Sequence, residues 1–201
     1  SDAAAGDDFG DSVAIDGATV VVGVKDDDDG GTDSGAAIIF RTSDGGASYV
    51  KVAKLTASDA TSGDNFGISV AIAGDIIVVG TNDKEAVYVF LTTDGGATYG
   101  QVAKLTASDA AANDYFGRSV AISAGIIAIG AMGDVEGGGF GSGSVYLFHT
   151  EDDGATWSEF AFLIASDAAA EDYFGTSVAI SGVRVITGAY KEDGAGGDSG
   201  A

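Results

Sequence analysis

Five aspartates are gathered in one short stretch, Asp26, Asp27, Asp28, Asp29 and Asp33, with Gly30 and Gly31 between them. Clustered carboxylate oxygens on a loop that glycine allows to curl are what a hard divalent cation such as calcium requires. The spacing departs from an EF-hand loop, and a solvated acidic loop is the competing reading, because runs of like charge usually stay hydrated. A second set of carboxylates recurs at fixed places: Asp7, Asp64, Asp114 and Asp172 each stand two residues before a phenylalanine. Four such groups could converge on a ligand, or each could cap a turn by accepting backbone N–H groups. The capping role is preferred, since every copy carries the aspartate whereas function usually resides in what differs between copies.

Covalent and acid–base chemistry find little to work with. There is no cysteine, and the single imidazole, His149, has no recognisable nucleophile or orienting acid beside it. The three arginines, Arg41, Arg118 and Arg184, fall in different parts of the chain and suggest no carboxylate-binding triad. Carboxylate pairs are so numerous that none is singled out for glycoside cleavage. The chain therefore reads as a non-enzyme, with calcium as the one cofactor its residues suggest.

Composition limits the partners. With 31 acidic residues against 9 basic ones, the net charge of -22 repels phosphate backbones and anionic lipid heads. Nucleic acid and membrane insertion are not expected; no apolar run approaches the roughly 20 residues that span a bilayer. At 201 residues and 45% apolar the chain can bury a core. Absence of proline, 33 glycines and many short β-branched runs point to strands joined by Gly and Asp turns. No Asn-x-Ser/Thr sequon occurs at Asn65, Asn82 or Asn113.

The elements that must position these residues come from a repeat. A phrase opening Ser-Asp-Ala starts at Ser1, Ser58, Ser108 and Ser166, at spacings of 57, 50 and 58 residues. Each copy continues through the recurrent aspartate to Phe-Gly (Phe9, Phe66, Phe116, Phe174), then a serine (Ser12, Ser69, Ser119, Ser177) and Val-Ala-Ile. A tight turn leads to a second apolar run, 20–23, 76–80, 126–130 or 183–188, and a loop of variable length to a third, 36–40, 86–90 or 144–148. A fourth strand follows at 49–57, 99–107 or 157–165. Four short strands per period and no helical periodicity predict an all-β fold, a β-propeller of four-stranded antiparallel blades. The expected repeats are 1–57, 58–107, 108–165 and an incomplete 166–201: three whole blades and half of a fourth, in one domain.

The pattern Asp-x-Phe-Gly-x-Ser-Val-Ala-Ile, with Gly130-Ala131 and Gly188-Ala189 closing the second strand and Val-Tyr-Val-Phe later, resembles the FG-GAP repeat of integrin-α-like propellers. The resemblance covers all four copies. Integrin-type blades often carry an Asp-x-Asp-x-Asp-Gly calcium loop between the first two strands; here 16–18, 73–75, 123–125 and 181–183 hold only tight turns. That departure favours the simpler FG-GAP variety found in extracellular and cell-surface proteins. The segments 42–49, 92–99 and 150–157 resemble the Asp-box of sialidase-type propellers, which is structural in the families that carry it.

What differs between copies is the loop between strands two and three: 24–35, 81–85, 131–143 and 189–201. In an up-and-down blade this loop shares one end with the Phe-Gly corner, and most of the acidic residues fall there. The resemblance implies a recognition or adhesion module outside the cell or on its surface, with a protein, glycan or cation on the acidic loops. The fourth copy stops before its third strand, leaving 183–189 as an apolar edge that further chain or another subunit must cover. The alternative expectation is thus a structural subunit of a filament or surface layer, assembled with copies of itself through blade edges.

Overall fold

A computed structural model of the chain describes residues 6–191 and 200. Among them there are no helices; the chain forms four antiparallel sheets of four, four, four and two strands. The first sheet contains β1 (Phe9–Asp16), β2 (Thr19–Val24), β3 (Ala36–Arg41) and β4 (Val50–Leu55). The second contains β5 (Ser69–Ala73), β6 (Ile76–Gly80), β7 (Val87–Leu91) and β8 (Gly100–Leu105). The third contains β9 (Phe116–Ser123), β10 (Ile126–Ala131), β11 (Ser144–His149) and β12 (Ser158–Leu163), and the last is the hairpin β13 (Phe174–Ser181) and β14 (Arg184–Ala189). Strand order is sequential in each sheet, so every connection is a hairpin. The molecule is three propeller blades and a half blade, with the first strands β1, β5, β9 and β13 neighbouring one another in succession.

The burial pattern explains why the second and third strands read as unbroken apolar runs. A sheet held between two others is covered on both faces, and in blade two the successive residues Ile77, Val78 and Val79, like Val87, Tyr88 and Val89, are wholly buried. The outermost strands alternate instead; β8 shows this along Gly100–Leu105. Two clusters form the main core, one between blades one and two and one between blades two and three.

The Phe-Gly corner seats each blade on its predecessor. Phe66 lies in the cluster with Val21, Ala37 and Ile39 of blade one, and its ring meets Tyr88 and Phe90 of its own blade at 5.6 and 6.0 Å. Phe116 repeats this, 5.5 Å from Tyr146 and 6.2 Å from Phe148. The serine two places after each glycine then donates to the backbone of the next blade's corner. Ser12 Oγ bonds Gly67 O at 2.7 Å, Ser69 Oγ bonds Gly117 O at 2.6 Å and Ser119 Oγ bonds Gly175 O at 2.7 Å. The glycine ending the second strand admits that corner: a Cβ on Gly80 would stand 1.9 Å from Gly117 O, and one on Gly130 1.9 Å from Gly175 O.

The recurrence of Phe-Gly predicts the same wedge between blades in all four copies, but the rings differ: Phe9 is 51% exposed while Phe66 and Phe116 are 0% exposed. Phe9 keeps the contact within its own blade, edge-on to Phe40, but no blade lies on its other side among the described residues. Phe174 is half-buried because it packs on Ala128, Val145 and Leu147 of blade three, while among the described residues its own blade supplies no third strand. Each seat thus needs two blades, and the ends of the stack have only one.

Candidate functional site

The two ends of the blades differ in kind. At the end of the 1–2 and 3–4 turns, each Asp-box closes on itself. Thr92 Oγ1 donates to Asp94 Oδ1 at 2.7 Å and accepts from the Gly96 N–H at 2.9 Å; Thr98 donates to Asp94 through both its N–H and its hydroxyl. Asp44 and Asp152 make the same set. Donation from the Ser48 and Thr98 hydroxyls holds the Asp44 and Asp94 carboxyls well below the usual carboxylate range. These aspartates have spent their acceptor capacity on the turn.

At the other end the recurrent aspartates are buried, Asp64 at 5% and Asp172 at 4% exposure, and they cap turns. Asp64 accepts from the Thr61 N–H and hydroxyl at 2.7 Å, Asp114 from the Ala111 N–H at 2.6 Å and Asp172 from the Ala169 N–H at 2.7 Å. Their backbone carbonyls accept from Asn82, Gly133 and Lys191 just past the second strand. They hold the loops in place and are not aimed at a common point.

The five aspartates of the 24–35 loop are also drawn in different directions. Lys54 Nζ spans Asp27 Oδ2 at 2.6 Å and Asp29; Lys25 Nζ takes Asp26 and Asp8, both at 2.6 Å. Asp28 accepts from the Asp33 N–H at 2.9 Å. Burial alone would lower the Lys54 pKa, but the bonds from Asp27 and Asp29 outweigh it and raise it. Among the described residues no group of three or more acidic or histidine side chains is arranged to hold a metal ion. Lys25 and Lys54 already stand where a cation would on Asp26, Asp27 and Asp29. His149 lies edge-on to Phe160 at 5.1 Å, with Glu151 3.6 Å from its Nε2.

A different site emerges inside the phrase. Two positions vary within Asp-x-Phe-Gly-x-Ser: the first x is Asp8, Asn65, Tyr115 or Tyr173, the second Asp11, Ile68, Arg118 or Thr176. Most of these side chains line two adjoining cavities near the inner strands, of about 350 and 400 Å³, which share Asn82 and Arg118. One end of this cleft is acidic, with Asp11 and Asp26 beside Lys25. The other is aromatic, with Tyr115, Tyr173, Tyr190, Phe140 and Met132. In between, Arg118 Nη1 donates to Asn82 Oδ1 at 2.9 Å.

The first x residue has a left-handed backbone in all four blades, with φ of 51, 48, 56 and 57°. Asn65 accommodates that readily; a tyrosine there is costly, and such outliers concentrate at working sites. Glycines of the 131–143 loop make room for the rings: a Cβ on Gly133 would stand 2.9 Å from the Tyr115 ring, and one on Gly141 3.0 Å from that of Tyr173. Tyr173 stacks on Tyr190 at 5.1 Å, with Lys191 Nζ 5.1 Å from the Tyr173 centroid. The sequence reading missed this cleft; the signal available was the variation at two positions of an otherwise fixed phrase.

The profile of the FG-GAP repeat matches the chain over residues 1–40, 43–90, 99–148 and 157–201. The chain belongs to the FG-GAP repeat family. Its repeat letters now have physical roles: the FG corner is the interblade wedge and close-approach glycine, and the serine that follows is the donor to the next corner. No curated protein matched this FG-GAP chain. Among solved structures it is similar to Sqt1 of Saccharomyces cerevisiae, a β-propeller of WD40 type, with a TM-score of 0.53 and 14% identity over 82% of this chain. The matched part is 38% of that chain, and the likeness concerns the fold alone.

Proposed function

We propose that this FG-GAP chain is a non-enzymatic recognition or adhesion module acting outside the cell or at its surface, and that it holds its partner in the axial cleft. The observation that carries the reading is the placement of variation: the phrase is fixed where it builds and variable where its side chains line the cleft. The partner is a protein or glycan; a field of net charge -22 disfavours nucleic acid and anionic membrane surfaces. Binding of the purified chain to immobilised neutral polysaccharides and to a basic peptide tests this. Binding to either that is lost in Arg118→Ala supports the cleft, and binding to neither defeats the reading.

A cation on the acidic loop remains part of the proposal as calcium at Asp26, Asp27, Asp28, Asp29 and Asp33, which would have to displace Lys54. Calorimetry with calcium on the chain and on Asp27→Asn and Asp29→Asn decides it: heat lost in both variants supports a site, and no heat from the parent ends it.

The second reading, a structural subunit joining copies of itself, has its own support. Large apolar side chains are exposed at both ends of the stack: Phe9, Val13 and Ile15 on blade one, Phe160 and Phe162 on blade three, and Ile186 on the half blade. Patches of this kind mark interaction surfaces. Light scattering after size exclusion separates the readings: monomers fit the module, and ordered oligomers growing with concentration fit the subunit.

A further inference from the structure

From the charge and shape of the aromatic end of the cleft, we propose that Tyr115, Tyr173, Tyr190 and Phe140, with Arg118 and Asn82, form a binding site for an uncharged carbohydrate. The inference rests on the recognition reading above and names its ligand class.

Three classes of ligand are disfavoured by the residues present. A cationic ligand would meet Arg118 in the wall and the Lys191 ammonium, which lies 5.1 and 5.9 Å from the Tyr173 and Tyr190 centroids and already takes the electrostatic attraction those rings offer. An anionic ligand would have to approach against a net charge of -22 with carboxylates on the same end of the blades. A purely apolar ligand would bury the Arg118 guanidinium and the Asn82 amide without satisfying their spare hydrogen-bonding groups, a cost of about 1–3 kcal/mol for each group left unpaired. A sugar ring satisfies all of these conditions. Its C–H face packs on an exposed aromatic ring, and its hydroxyls both donate to the Asn82 amide oxygen and accept from the Arg118 and tyrosyl donors.

The site is built to expose rings. Tyr190 is 52% and Phe140 63% exposed, whereas Tyr88 and Tyr146, on the third strands, are at most 1% exposed. Both Tyr115 and Tyr173 occupy left-handed backbone that glycine or asparagine would fill at less cost, and Gly133 and Gly141 yield space to their rings. The cavity of about 400 Å³ is within the range of small-molecule sites and is open toward the acidic half of the cleft.

Calorimetry with cellotetraose, chitotetraose and mannotetraose, alongside tetralysine, provides the test on the 201-residue chain, its Tyr190→Ala and Phe140→Ala variants and a Tyr49→Ala control. Tyr190, Phe140 and Tyr49 are exposed, and unchanged melting curves verify that the variants fold. At least one tetrasaccharide is expected to bind, with affinity reduced roughly tenfold by Tyr190→Ala or Phe140→Ala and unchanged by Tyr49→Ala. Binding of tetralysine alone overturns the carbohydrate assignment while leaving the recognition reading standing. Saccharide binding indifferent to both cleft variants overturns the site, and binding of none of the four probes defeats the assignment and the cleft's role together.

Discussion

At the residue scale, one hydroxyl and one missing side chain do much of the joining. Ser69 Oγ donates to Gly117 O across a blade boundary in a buried setting, and the Gly80 Cα lies where any Cβ would strike that same carbonyl. Ser69→Ala is expected to cost about 1 kcal/mol of unfolding free energy in urea. Gly80→Ala should cost about 3 kcal/mol, because the clash is with backbone that cannot swing away. The exposed Ser177, with no following corner among the described residues, is the internal control, and Ser177→Ala should leave the urea midpoint unchanged. The types of these residues were legible from their recurrence, but their partners were not. A backbone carbonyl in the next copy leaves no trace in sequence, and neither did Lys54, which meets Asp27 and Asp29 from a strand 27 and 25 residues further on.

Glu85 shows a local substitution of the same kind. In blades one and three the Ser34 and Ser142 carbonyls accept from the Phe66 and Phe174 N–H groups of the next corner. Blade two has too short a loop for this, and the Glu85 carboxylate accepts from the Phe116 N–H at 2.6 Å instead. Burial pushes the Glu85 pKa up against the backbone donors that lower it. The folded state therefore binds that proton more tightly than the unfolded chain. The resulting stability is full below the ordinary value of 4.5 and is lost as pH rises through the raised folded value. Glu85→Gln keeps an acceptor and removes the buried charge, so its melting temperature relative to the parent should be higher at pH 7 than at pH 4. An equal difference at both would show that the carboxylate carries no penalty.

At the scale of elements, the blade is the unit that the sequence declares and the interblade seat is the unit that stabilises it. Recurrent strands, tight turns and Asp-boxes were legible because each rests on local chemistry: β-branched runs, positive-φ glycines and an aspartate bonded to its own turn. Seating is tertiary, so the phrase could announce a wedge without telling which copies have both walls. Phe116→Ala and Phe66→Ala should each cost about 3–5 kcal/mol, while Phe9→Ala, already half in solvent, should cost under about 1 kcal/mol. Urea denaturation of the three variants checks the ordering, and a Phe9 variant as damaging as the others would show that the exposed ring has a partner in solution. The cleft was illegible for a related reason. Asp11, Asn65, Tyr115 and Tyr173 lie far apart in the chain and converge only when the first strands of successive blades gather side by side.

At the scale of the whole molecule, the repeat that builds the interior leaves blade one and the half blade each with an uncovered face among the described residues. Blades one to three present matched faces to one another, and the faces without a neighbour carry Phe9, Val13, Phe160 and Ile186 to solvent. Exposed apolar faces of this kind favour association. Association of the chain should accordingly rise with salt as the net charge of -22 is screened, which light scattering between low and high ionic strength would register. A strictly monomeric chain under both conditions would mean that charge does not govern these faces.

The Phe-Gly corner is a joint between blades, and native-state hydrogen exchange reads that joint within a single molecule. The amides of Phe66, Phe116 and Phe174, bonded to Ser34 O, Glu85 Oε2 and Ser142 O of the preceding blade, should exchange slowly, and Phe66 and Phe116 near the global unfolding limit. The Phe9 amide, with no preceding blade beside it among the described residues, should exchange fast. Equal protection at all four corners, or equal exposure, would contradict the joint.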